Sequence, residues 1–350
     1  MVMHIKKIPV AGRRVFRLSL TVALALAGGY ALAVPLPYLA PIFALVLTAT
    51  PGPPMGLKGL IGLFLLVIIT MGSGLLLSPL LQHYPITVLL IIALGLFLSN
   101  YLSVNKGKGA VGIFLTAGLT LITAAGVASF AAAHTVVEAL MMGIGLAVLS
   151  QRIVYPLFPE DVSPARPPRK AAPDAEQSNW IAIRATLIVF PAYLLVLINP
   201  SMYLPIIMKS VSLAQQGSLM HARSAGRELL GSTFLGGCFA ILFWFALGIE
   251  TNLWMFFLWM VLFGIYYSSK LYRLIATRYP ASFWINAVIT MLILLGPAVQ
   301  DSGSGKDVYK AFAMRMTLFV AVTLYAWAAV RVLEYLRSRR LQRIGLKITG

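Results

Sequence analysis

Apolar residues in this chain come in long runs, broken by short basic, glycine-rich or proline-rich stretches. Helices that cross a hydrocarbon core of about 30 Å need roughly 17 to 25 such residues, whereas barrel strands would give short alternating segments. The pattern therefore predicts helices throughout. In the first half they fall at approximately 16–34, 37–50, 58–80, 85–104, 109–131 and 134–156, and in the second at 181–199, 202–214, 228–248, 251–270, 281–300 and 311–333. Between the halves, Phe158 to Asn179 reads "FPEDVSPARPPRKAAPDAEQSN", whose prolines, charges and small polar residues cannot bury enough apolar surface to order themselves. The expected organisation is a first six-helix repeat over 1–157, a linker over 158–179, a second six-helix repeat over 180–336 and a basic tail over 337–350.

Short matches between the halves carry the repeat reading. "KGLIG" from Lys58 to Gly62 matches "RELLG" from Arg227 to Gly231, and "GLFLSNYL" from Gly95 matches "GIYYSSKL" from Gly264. Six spans is an even number, so the two copies would share one orientation, related by an axis along the membrane normal. The fold class expected is an all-α integral membrane protein of about twelve transmembrane helices, built as two six-helix repeats in parallel orientation.

Two helices are interrupted in the same way. Pro35, Tyr38 and Leu39 in "VPLPYLAPIF" match Pro200, Tyr203 and Leu204 in "INPSMYLPII", and each set is soon followed by another proline, Pro41 or Pro205. The helices that follow look too short to cross. Proline removes a backbone donor, and freed carbonyls are tolerated at membrane depth only beside protein or a water-filled cavity. Corresponding Pro-interrupted segments in two halves point to a transport site. The residues read equally as caps of tight outer turns, with the tyrosines in an interfacial aromatic belt.

Composition removes the soluble classes. Of 350 residues 59% are hydrophobic and 11% charged, and the net charge of +18 is spread between the spans rather than gathered in a nucleic-acid patch. Lysine and arginine concentrate on the side of the N-terminus: Lys6, Lys7, Arg13, Arg14, Lys58, Lys106, Lys108, Arg166, Arg169, Lys170, Lys209, Arg223, Arg227, Lys270, Arg273, Arg278 and the tail. The opposite side holds Lys306 and Lys310. The positive-inside rule then puts both termini in the cytoplasm. The basic start before the first apolar run resembles a leader, but the run continues to Val34 and more spans follow. Glycines such as Gly72, Gly74, Gly143, Gly145, Gly231, Gly236 and Gly237 predict close helix contacts.

Few residues carry candidate chemistry. The single cysteine, Cys238, reads as a small packing residue, and the scattered histidines His4, His83, His134 and His221 suggest neither a metal site nor a catalytic triad, so no cofactor and no enzyme activity are expected. His134 and Glu138 share a helical face and form a possible proton relay, or else a wet interfacial pair; Arg315 enters the last span on the same side, within expected reach of Glu138. Arg17 and Arg184 open the first span of each half and read as snorkelling anchors.

The stretches Arg13 to Pro54 and Arg223 to Gly237, "RSAGRELLGSTFLGG", resemble the fusaric acid resistance and aromatic acid exporter family of bacterial inner-membrane proteins, and its compact members most. Arg227 and Gly231 stand where that family opens its third helix with an arginine and glycine motif, one residue further apart than its pattern. The resemblance implies export of aromatic or hydrophobic acids or toxic compounds across the inner membrane, with a periplasmic adaptor of the membrane fusion protein type. The chain lacks the large cytoplasmic domain of longer members. The expected function is a secondary efflux transporter, the alternative being a non-transporting scaffold or accessory subunit.

Overall fold

The computed structural model describes residues 8–106, 109–160, 175–217 and 222–343. Of the linker expected over 158–179, residues 161–174 lie outside them, as do the tail beyond Arg343, His4 and His221, whereas Ala175 to Asn179, expected as linker, already belong to a helix. The described residues form helices and no strands. In the first half these are α1 Val10–Ala31, α2 Leu39–Ala49, α3 Leu57–His83, α4 Pro85–Asn105, then α5, then α6 Phe130–Val154. Helix α5 is composite, an α-helical Gly109–Ala117, a π-helical turn Gly118–Ile122 and a further α-helical Thr123–Ala128. The second half holds α7 Ala175–Ile198, α8 Pro200–Gly217, α9 Ala222–Ile249, α10 Leu253–Leu271, α11 Ala281–Gly303 and α12 Val308–Arg343.

Nine helices among the described residues are long and apolar enough to cross a membrane. The protein is a multi-pass helical membrane protein. Helices α1, α2 and α8 fall outside the nine: α1 carries Arg13, Arg14 and Arg17, α2 has only 11 residues, and α8 carries Lys209 and a polar end.

The chain divides into two compact units. Unit 1 takes Met1–Ile68, His134–Lys170 and Ser232–Met316, and unit 2 takes Ile69–Ala133, Ala171–Gly231 and Thr317–Gly350. Each unit therefore mixes elements of both halves. In unit 1, α1 packs along α10 and α2, and α11 packs on α10 and α2. In unit 2, α7 packs along α4 and α8, and α5 packs on α4 and α8. The core of unit 1 includes α11, whose most apolar stretch is 78% buried, whereas that of α3 is 22% buried.

Small residues set these contacts. Gly264 of α10 rides on α1 at Ser19, where a Cβ would come within 3.1 Å of the Ser19 backbone. In unit 2 the backbones of α3 and α5 touch at Gly74 and Gly118, where a side chain on either would meet the other helix's carbonyl. Gly118 opens the π turn, so the widened backbone coincides with the tightest crossing. Gly143, Gly145, Gly236 and Gly237 also meet neighbouring residues, whereas Gly72 faces open space and is not a packing contact.

The two proline breaks differ in geometry. Between α1 and α2 the chain makes a seven-residue turn with Ala33 at φ 48° and Leu36 at φ 50°. Between α7 and α8 only Asn199 intervenes. Helix α8 runs on through Pro205 for 18 residues, so it is not the short helix that the sequence predicts. Pro41 lies in the first turn of α2, where its missing N–H would have had no helical acceptor.

Candidate functional site

The C-terminus of α1 closes in a Schellman arrangement: Val34 N donates to Gly29 O at 3.0 Å and Ala33 N to Tyr30 O at 3.1 Å. The turn folds back until the Pro37 carbonyl reaches Gly29, where a Cβ would lie 2.8 Å from that oxygen. This delivers Tyr38, 4% exposed, onto α11 at Gly296, where the bare backbone accepts the base of the tyrosine side chain. Pro297 follows, and one turn on the buried Asp301 pairs with Arg315 of α12 at 2.6 Å. Arg315 also lies within electrostatic reach of Tyr38. Helix α11 then ends in a second Schellman arrangement, Lys306 N on Asp301 O at 3.1 Å, with Gly305 at φ 72°.

Beside this pair is a cleft of about 480 Å³, lined by Tyr30, Phe256, Trp244, Tyr309, Asn252 and Ser302 among others. Tyr30 and Phe256 have ring centroids 5.0 Å apart. The Tyr30 hydroxyl is buried without a hydrogen-bond partner among the described residues. Asn252 caps α10, its Oδ1 accepting Met255 N at 2.7 Å. The arrangement offers aromatic faces, two or three neutral polar tips and, one turn along α11, a cation held by a carboxylate. That suits an apolar or aromatic molecule with an anionic or hydrogen-bonding end.

The opposite end of unit 1 is a polar clamp. Three arginines of α1 converge on the segment after α6: Arg13 donates to Pro159 O at 2.8 Å, Arg17 to Phe158 O at 3.2 Å, and Arg14 and Arg17 both pair with Glu160, Arg17 at 2.6 Å. Arg17 also lies over the Tyr155 ring at 5.3 Å. Burial pushes the Glu160 carboxyl up, but the hydrogen bonds and charges of Arg14 and Arg17 outweigh it and hold the group below its ordinary value of 4.5. Nearby, Tyr272 donates to Ala49 O at 2.9 Å, and burial pushes its phenol up to about 12. Unit 2 has a matching clamp, Arg184 of α7 on Glu334 of α12 at 2.7 Å, with Trp180 Nε1 donating to the same oxygen at 3.2 Å. Arg17 and Arg184 are thus buried ion-pair partners rather than snorkelling anchors, because each has a carboxylate from the last helix region of its own half within reach.

Within unit 1 the structure brings Arg315 within electrostatic reach of Tyr38. Pro35 lies in the α1–α2 turn. Pro200 and Tyr203 open α8 in unit 2. His134 and Glu138 are exposed on α6, and Arg315 pairs with Asp301 rather than with Glu138. Arg227 is exposed in α9, with Gly231 a turn further on. Lys209, placed by the charge pattern on the N-terminal side, is fully buried within α8. Sequence reasoning missed Tyr30, Asp301, Glu160 and Glu334. Comparing the halves would have pointed to the clamps, since Arg17 and Arg184 each lie in the first helix of a half, and acids follow each half's last apolar run, Glu160 and Asp161 in one and Glu334 in the other.

A family described as a protein of unknown function (DUF2955) matches residues 14–154. The match ends on the last residue of α6. No curated protein and no solved structure matches the chain. The likeness to fusaric acid resistance exporters therefore rests on the quoted residues alone.

Proposed function

We propose that the protein is a secondary transporter of the bacterial inner membrane that exports aromatic or hydrophobic acids, working with a periplasmic adaptor of the membrane fusion protein type. The observation that carries the reading is the aromatic cleft of about 480 Å³ beside the Asp301–Arg315 pair. Tyr30, Phe256 and Trp244 would stack on the substrate ring, and Arg315 would exchange Asp301 for the substrate carboxylate. Protonation of Asp301 on arrival of the acid would release the arginine, which couples the site to protons without a metal; His134 and Glu138 would relay them.

The same reading takes the chain as twelve spans in two six-helix repeats with both termini cytoplasmic. It draws support from the equivalent packing of α1 on α10 and α7 on α4, from the equivalent clamps, and from a family match that stops where the first repeat should stop. The cleft would then open to the periplasm. The path residues of unit 2, Pro200, Tyr203 and Pro205, would take the part that Pro35, Tyr38 and Pro41 take in unit 1.

The test is flux of a fluorescent aromatic acid from liposomes holding the purified protein under an imposed proton gradient. Wild-type flux that falls at least tenfold in Arg315→Gln and in Tyr30→Ala, with folding intact, is the expected result. No flux under any gradient would favour the accessory-subunit reading, and flux indifferent to both variants would move the site elsewhere.

A further inference from the structure

Helix α12 runs 36 residues where its counterpart in the first half, α6, runs 25. At 1.5 Å per residue it reaches roughly 54 Å against about 30 Å of hydrocarbon, so its C-terminal third leaves the apolar layer. This emerging segment is two-faced. Arg331, Tyr335 and Arg339 recur at four-residue intervals with Val332 and Leu336 beside them, and at 100° per residue the five occupy one arc of about 140°. All five are exposed, Val332, Tyr335 and Leu336 each by more than half. The other face packs, with Val330 buried and Glu334 engaged by Arg184 and Trp180.

The arginines here rest on rings. Arg339 lies over Tyr335 at 4.6 Å, Arg331 over Trp327 at 5.6 Å, and Arg337 over Trp180 at 5.6 Å. None of the three forms an ion pair among the described residues, and Glu334 is already held by Arg184. A guanidinium that has no carboxylate partner keeps N–H donors to offer, and its planar fork can grip a phosphate with two hydrogen bonds. Arginine alone would suit any phosphate. Val332 and Leu336 in the same arc, at the level where the helix leaves the hydrocarbon, select a phosphate that carries acyl chains.

We propose that the Arg331–Arg339 arc of α12 is a headgroup site for an anionic phospholipid, with the arginines on the phosphodiester and Val332 and Leu336 against the upper acyl chain. The site stands independently of what the protein transports.

Native mass spectrometry of the full-length protein in detergent, with phosphatidylglycerol, phosphatidylcholine or inorganic phosphate added, reads it directly. Phosphatidylglycerol should bind in preference to phosphatidylcholine, and millimolar inorganic phosphate should not displace it. Arg331→Gln with Arg339→Gln should weaken phosphatidylglycerol roughly ten- to thirtyfold, while Arg331→Lys with Arg339→Lys, which keeps the charge but loses the two-bond fork, should weaken it only about threefold. Equal binding of the two lipids to wild type, an unchanged affinity in the folded glutamine variant, or displacement by inorganic phosphate would each overturn the assignment. Should the glutamine variant fail to fold, the lipid preference of wild type and the lysine pair decide.

Discussion

Replacing Glu160 by glutamine removes one charge and almost no volume from the end of unit 1, and the structure says what is left behind. Arg17 is 2% exposed, and without the carboxylate it keeps only the Phe158 carbonyl at 3.2 Å and the face of Tyr155. Breaking a buried ion pair from one side costs about 3–5 kcal/mol, because a buried charge stays uncompensated. Arg14 is 24% exposed and can turn to water, so its share is small. A loss of about 2–3 kcal/mol is expected for Glu160→Gln, and about 1 kcal/mol for Glu334→Gln, whose carboxylate is 31% exposed and pairs with Arg184 alone. Denaturant unfolding in detergent micelles measures both. Because the folded carboxyl is held below 4.5, the clamp contributes fully above that value and is lost as pH falls below it. The gap between wild type and Glu160→Gln should therefore narrow under acid. A double-mutant cycle with Arg17→Gln should show coupling of at least 1 kcal/mol. A variant within about 0.5 kcal/mol of wild type, or strictly additive losses, would refute the clamp.

Ala33→Gly should stabilise the protein by about 0.5–1 kcal/mol in the same unfolding assay, since Ala33 holds the left-handed position that Gly305 fills at the end of α11. Gly296→Ala should cost about 1–3 kcal/mol and displace Tyr38, read as a change in tyrosine fluorescence; an added methyl that leaves both unchanged would mean that the two do not touch. Lys209→Met should abolish flux in protein that still folds, as expected of a buried ionisable group retained for function; a variant with full flux would make Lys209 a structural residue.

Helices whose signal is a long apolar run were legible to within about six residues, because burial in lipid needs no partner-specific pattern, except that α12 runs ten residues past its expected end at 333. What sequence alone hid was partnership. The repeat motifs at Gly95 and Gly264 lie in α4 and α10, yet nothing in either says that α10 will lie along α1. The prolines drew attention to the α1–α2 turn correctly, but the same letters at Pro200 make a one-residue junction, because α7 has no left-handed pair like Ala33 and Leu36 to lengthen it. Asp301 escaped notice at the end of a span, since its pairing with Arg315 depends on the tight α11–α12 hairpin.

The pairing of α1 with α10 also sets a timetable for synthesis. Helix α1 leaves the ribosome more than two hundred residues before α10 exists. At roughly 5–20 residues per second that interval lasts on the order of ten to fifty seconds. For all that time the groove that Gly264 will occupy on α1 stays open to lipid, to the insertion machinery or to whatever helix drifts past. A second nascent copy carries an identical α10, so at high expression the first helix of one chain can be claimed by the tenth of another, and overproduced protein should accumulate as interlocked dimers that dilution does not separate.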